Sequence, residues 1–167
     1  MAHKKHQLKI VTLPAENLTK PSEKVKFPLP SDFSRLIAEM IRVCRKSHGI
    51  GLAAPQVGLN IRLVIINLEA YGVKPFPLIN PEITKTSANK VEAEEGCLSI
   101  PGIYGVIKRP EKVDVRAQTP EGKTIEFKAD GLLARVAQHE VDHINGVLFI
   151  DHLSKKERDE LMKKYRG

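Results

Sequence analysis

Between Asp130 and Gly146 the chain reads GLLARVAQHEVDHIN, a segment whose only polar stripe, if helical, is Arg135, Gln138, Asp142 and Asn145. The remaining faces are mostly apolar, so the segment is expected to form a largely buried helix from about Leu132 to Asn145 with one wet edge. Asp130 can accept from the free N–H groups of its first turn, and Gly146 can take the left-handed conformation that closes a helix. A chain containing such a helix must wrap it on nearly every side, and that demand dominates the reading of everything else.

The wrapping material is mostly strand. Arg62 to Leu68 carries a buried apolar run. Val113, Val115 and Ala117 alternate with polar residues before the turn PEGK, and Ile125, Phe127 and Ala129 alternate on the return. Leu8 to Leu13 reads as a first strand, and Pro14, Pro21, Pro28 and Pro30 then mark a long surface connection without apolar period. From Phe33, the residues Leu36, Ile37, Met40, Ile41 and Cys44 recur at helical steps. That amphipathic helix is expected to start at Ser31 or Asp32 and to end near His48, with Gly49 as its stop. Ser154 and Glu157 form a capping-box pair that opens a short, charged terminal helix. The expected class is α+β, with mixed or antiparallel sheets packed around the buried central helix. All 167 residues form one domain, since a chain of this length supports a single core and shows no repeat.

Composition narrows the partners. No apolar run approaches the roughly 20 residues of a membrane helix, and MAHKKHQLKI lacks the apolar segment of a signal peptide, so a cytoplasmic protein is expected. The lack of an Arg- and Ser-rich leader argues only against an organelle precursor. In that setting Cys44 and Cys97 are expected as free thiols, Cys44 as a buried member of its helix's apolar stripe. A net charge of +7 favours loose association with an anionic partner such as RNA, without implying specific nucleic-acid binding.

The chemistry lies in HEVDH. Histidines four apart on a helix project from one face about a turn apart, so His139 and His143 can bind one metal ion. Glu140 follows the first of them, the position from which a carboxylate reaches a metal-bound water. The bland alternative is a pair of hydrogen-bonded, inert histidines, but two imidazoles and a carboxylate without a metal are costly on so buried a helix.

A catalytic metal needs a third protein ligand. In the extended pattern HExxHxxGxxH, Gly146 matches the glycine, yet Phe149 stands where the last histidine belongs, and Asp159 and Glu160 sit in the solvated terminal helix. Upstream, Cys97 in EEGCLSIPG offers a thiolate suited to iron or zinc, although a buried thiol in a strand reads as easily. A third segment, GIGLAAPQVG from Gly49 to Gly58, is compact and ends near a polar amide, Gln56. It lacks the Lys-Ser/Thr ending of a phosphate-binding loop.

GIGLAAPQ, EGCLS and HEVDH, in this order and at this spacing, resemble the three signature motifs of the peptide deformylase family, whose fold is α+β. The resemblance implies a metal on Cys97, His139 and His143, with a water in the fourth position. It implies removal of the N-formyl group from the formylmethionine end of nascent polypeptides by a metal-bound hydroxide, with Glu140 as general acid/base and formate as product. It assigns oxyanion stabilisation to the Gln56 amide and the backbone N–H of Leu98. It favours Fe2+ in the cell with Zn2+ as a common replacement, while the ligand chemistry also admits Ni2+ or Co2+.

Methionine requires an apolar pocket beside the metal. Ile50, Leu132 and Val136 are the candidates for its wall, the last two sharing the helix face of the histidines, and Gly49 and Gly51 flank Ile50 in the same substrate-binding set. Glu95 can pair with Arg109 and steady the cysteine segment, or the two can form an ordinary surface ion pair. Two rivals remain at this level. One is a metallopeptidase cutting internal bonds, which leaves GIGLAAPQ and EGCLS without a role. The other is a non-enzymatic metal-stabilised module on the ribosome, held weakly by Lys155, Lys156, Arg158, Lys163, Lys164 and Arg166.

Overall fold

A computed structural model describes residues 7–167. Three helices, α1 (Phe33–Lys46), α2 (Gly131–Ile144) and α3 (Lys155–Met162), accompany seven strands. The strands are β1 (Gly51–Ala53), β2 (Leu63–Ile66), β3 (Phe76–Thr86), β4 (Lys90–Cys97), β5 (Ile100–Pro110), β6 (Lys112–Gln118) and β7 (Thr124–Asp130). Five form a sheet in the order β1-β2-β3-β6-β7, and β4 and β5 form a separate hairpin; every pairing between strands is antiparallel. The architecture is α+β.

The run Leu63-Val64-Ile65-Ile66 has no polar face because β2 is covered on both sides. Val64 and Ile66 join Ala134, Val136, Ala137 and Ile144 of α2 in one core, and Leu63 and Ile65 join Phe33, Ile37, Met40 and Cys44 of α1 in another. Strands β6 and β7 are covered on one side only, so Val113, Val115, Ala117 and Ala129 face α2 while polar residues alternate outward. A third cluster lies under the hairpin, where Ile100, Ile103 and Ile107 meet Leu148, Phe149 and Ile150.

The N-terminal segment departs from expectation. Leu8 to Leu13 forms no strand, because its donors reach isolated carbonyls of different elements: Val11 N–H donates to Gln56 O (2.8 Å) and Leu13 N–H to Ser99 O (3.0 Å). Nor is the proline-rich connection confined to the surface. Leu18 is fully buried in the third cluster, and Val25, Phe27 and Leu29 pack against the α1 core.

Helix ends differ in detail. Asp32 and Asp130 occupy N-cap positions, but neither side chain caps its helix; Phe33 N–H donates to Pro30 O and Gly131 N–H to Glu111 O. The left-handed residue after α1 is His48, at φ 55°, rather than Gly49. The missing side chain of Gly49 serves a close approach instead, since a Cβ there would lie 3.0 Å from Leu98 Cδ1 and 3.3 Å from Cys44 Sγ. Gly146 does close α2, at φ 75°, and Ser154 and Glu157 form the capping box of α3.

The largest departure is the edge of α2. Most of its polar stripe is not wet: the β4–β5 hairpin and the turn at 149–152 cover Arg135, Gln138 and Asp142, whose side chains bond there, while Asn145 stays exposed and accepts from Arg62 (2.9 Å). Gln138 Nε2 donates to Pro110 O (3.0 Å), and Arg135 donates to Ile107 O (3.0 Å) and Val91 O (2.7 Å). Buried polar atoms must find partners, and a polar stripe satisfies that rule against protein as well as against water.

Candidate metal centre

α2 brings His139 and His143 onto one face, and β4 ends at Cys97 beside them. Cys97 Sγ lies 3.3 Å from His143 Nε2, which lies 3.2 Å from His139 Nε2, and one donor atom from each of the three falls within 4.8 Å of the others. His139 Nδ1 lies 3.0 Å from Glu95 Oε2. A carboxylate there accepts a hydrogen bond from Nδ1–H and leaves the Nε2 lone pair pointing at the other two donors. The donor set therefore fits a single soft or borderline divalent metal ion.

The electrostatics favour positive charge at the same point. Burial works against charge on His139, but the Cys97 sulfur and the Glu95 carboxylate outweigh it and push the imidazole up to about 10. His143 is held well below the ordinary imidazole range by burial and by His139 beside it. A field that holds a proton so firmly also favours a metal in its place, and ligation displaces the proton.

Glu140 is 3% exposed and its Oε2 has no hydrogen-bond partner among the described residues. Burial pushes its carboxyl up to about 7, against the opposing pull of a charged His139. A carboxyl poised there can take a proton and give it back near neutral pH. Its position depends on Gly51: a Cβ on that residue would collide with the carboxyl group, whose Cδ would lie only 2.8 Å away.

Gln56 is buried with Oε1 accepting from Ala53 N–H (2.9 Å), which turns its Nε2 toward Cys97 Sγ (3.5 Å) and Ser99 Oγ (3.4 Å). A cleft of about 570 Å³ opens over this group. Gly49, Ile50, Gly51, Gln56, Cys97, Leu98, Leu132, Val136, His139 and Glu140 all border it, while His143 lies beneath.

The alternative of a surface ion pair for Glu95 and Arg109 does not hold. Arg109 grips Glu95 through two parallel bonds, Nε to Oε1 (2.6 Å) and Nη2 to Oε2 (3.0 Å), with both side chains about 5% exposed or less. Burial favours a neutral Glu95, but bonds from His139 and Arg109 prevail and hold it well below the usual carboxylate range.

Sequence reasoning missed four participants. Ser99, fully buried, gives its N–H to Cys97 Sγ (3.4 Å); Arg135 adds a bond to Glu95 Oε1 (2.7 Å); Asp142 and His152 join Arg109. The polar stripe of α2 was the available signal for Arg135 and Asp142, since charge on a mostly buried helix requires partners.

Known proteins bear on this geometry. The family model described as "Polypeptide deformylase" matches residues 7–159. The peptide deformylase of Hydrogenovibrio crunogenus is 46% identical over 160 residues, 96% of this chain and 94% of that protein. A crystal structure of a peptide deformylase from Synechococcus elongatus in complex with actinonin superposes with a TM-score of 0.89 at 40% identity, covering 97% of this chain and 89% of that one. The peptide deformylase of Legionella pneumophila gives 0.87 at 40% identity, with 94% and 92% covered. The chain that brings a cysteine, two helical histidines and a buried glutamate together at one cleft thus belongs to the peptide deformylase family.

Proposed function

We propose that this chain hydrolyses the formamide bond of N-formylmethionyl nascent peptides, with a divalent metal held by Cys97, His139 and His143 and with Glu140 as general acid/base. The observation that carries the reading is the convergence of three ligand atoms beside a buried carboxylate on the wall of one cleft. α2, with the HEVDH motif on its covered face, is the element that sets this geometry, and α1 backs the strand that carries Gly51.

A metal bound there supplies a Lewis acid able to bring the pKa of a water from near 16 to about 7. Glu140 accepts the proton that the attacking water gives up and returns it to the amine as the C–N bond breaks, so formate and a free N-terminus result. The Gln56 amide and the Leu98 N–H stabilise the charge that develops on the formyl oxygen. Ile50, Leu132 and Val136, with Gly49 and Gly51, receive the methionine side chain and backbone. Fe2+ is the metal proposed for the cell, with Zn2+, Ni2+ or Co2+ as replacements.

Among the described residues no helix is long and apolar enough to cross a membrane, and the proposed location is the cytoplasm. Any ribosome contact through α3 is weak, because Lys155 and Arg158 already bond Asp159 and Asp151 at 2.6 Å. The decisive test is formate release from formyl-Met-Ala-Ser by the wild type and by Glu140→Gln. Metal retained with activity lost is the expected result; equal activity in both would overturn the assignment.

A further inference from the structure

We infer that His152 is a positioning residue for the metal centre, holding Asp142 against Arg109 and through it the grip of Glu95 on His139. The inference rests on the ligand set proposed above.

The contacts form one unbroken line. His152 Nε2 lies 2.8 Å from Asp142 Oδ2, and Arg109 Nη1 lies 2.8 Å from the same oxygen. The His152 and Arg109 nitrogens are 3.4 Å apart, and both are donors, so they share one acceptor rather than bonding each other. Beyond Arg109 come its two bonds to Glu95 and the 3.0 Å contact of Glu95 with His139 Nδ1.

Exposure falls along this line, from 37% for the His152 side chain through 22% for Asp142 to 4% and 5% for Arg109 and Glu95. Arg109 and His152 are the only hydrogen-bond partners of the Asp142 side chain among the described residues. A partly exposed carboxylate held by one donor can swing into water. A second donor from a different element, the turn Phe149–His152, fixes its direction. If Asp142 swings, the third nitrogen of Arg109 loses its acceptor in a nearly dry site. The guanidinium then shifts to recover it, and the paired bonds to Glu95 loosen. The imidazole of His139 is then free to turn. Direct outer partners of metal ligands are worth roughly 10- to 100-fold in affinity, so a partner three links further out is worth less, about threefold to tenfold.

The test uses the whole chain loaded with cobalt(II) and follows metal loss into excess EDTA for the wild type, His152→Ala and His152→Gln. His152→Ala is expected to lose cobalt about threefold to tenfold faster, with KM for formyl-Met-Ala-Ser unchanged and an unaltered Tm for the metal-free protein. His152→Gln keeps a side-chain donor and is expected to stay near the wild-type rate. Equal rates for wild type and His152→Ala would overturn the inference. So would rapid loss from His152→Gln, or faster loss explained by a matching fall in the metal-free Tm. A wild type that retains no cobalt would overturn this inference and the proposed metal centre together, whereas retention with equal rates overturns this inference alone.

Discussion

The two cysteines sit on neighbouring elements yet inhabit different chemistry. Cys44 is fully buried among Phe33, Ile37, Met40 and Leu52, and its Sγ donates to the carbonyl oxygen of Gly49 at 3.3 Å. Burial, assisted by the charge of Glu140, pushes that thiol up to about 12, so it stays protonated. Around Cys97 the sulfur meets the Ser99 N–H, the Gln56 amide and His143, all within 3.5 Å. A sulfur ringed by donors and imidazole is prepared to act as a ligand, and one facing a carbonyl in an apolar pocket is not. Surroundings, not residue type, separate the two.

Three measurements break or sharpen that contrast. Cys97→Ser removes a proposed ligand, and metal content and formate release should both fall by more than the roughly 100-fold that outer partners account for. Retention of stoichiometric metal and full activity would erase the distinction between the sulfurs. Arg109→Met probes the network behind Cys97. It leaves Glu95 and Asp142 as buried or half-buried charges without their partner, so stability at pH 7 should drop by about 3–5 kcal/mol in urea unfolding. The depressed pKa of Glu95 makes this stabilisation complete above the ordinary carboxylate range and lost as pH falls from there to the depressed folded value, so the gap between variant and wild type should narrow in acid. A loss below about 1 kcal/mol would show that the network does not carry the fold.

Cys44→Ser should have the smallest effect, about 1–3 kcal/mol at neutral pH with metal and activity kept. Its pH dependence is the informative part. A thiol that ionises near 9 when unfolded but near 12 when folded favours the unfolded chain as pH rises between those values, by up to about 1.4 kcal/mol per unit. The serine variant lacks that slope, so urea midpoints of the two proteins should converge from pH 8 to pH 10; parallel curves would count against a sealed Cys44.

How legible these regions were in sequence follows from how local their physics is. The apolar circumference of α2, its Gly146 stop and the capping box of α3 lie within a few residues of what they determine. The hairpin was not legible, because the inward row of KVEAEEGC includes a charged residue, Glu95, whose burial makes sense only with Arg109 on the paired strand 14 residues away. The wet edge assigned to α2 survives only at Asn145 for the same reason, since polarity alone does not say whether water or protein supplies the partner. β1 lies in a segment read from sequence only as compact, and Gly51 is small because Glu140 needs the space. That His139 and His143 share one face was readable from helix spacing; that Cys97 joins them depended on resemblance.

The end of β4 and the far end of α2 have one more consequence. Cys97 and His143 stand 46 residues apart in the chain, and the stretch between them contains the rest of the hairpin, β6, β7 and most of α2. On the proposed ligand set, one ion ties the two ends of that stretch together as a removable staple. A cross-link closing a loop of this length lowers the entropy of the unfolded chain by an amount worth about 4 kcal/mol at room temperature. On that ligand set, loading the enzyme both equips it for chemistry and closes just over a quarter of its backbone into a ring.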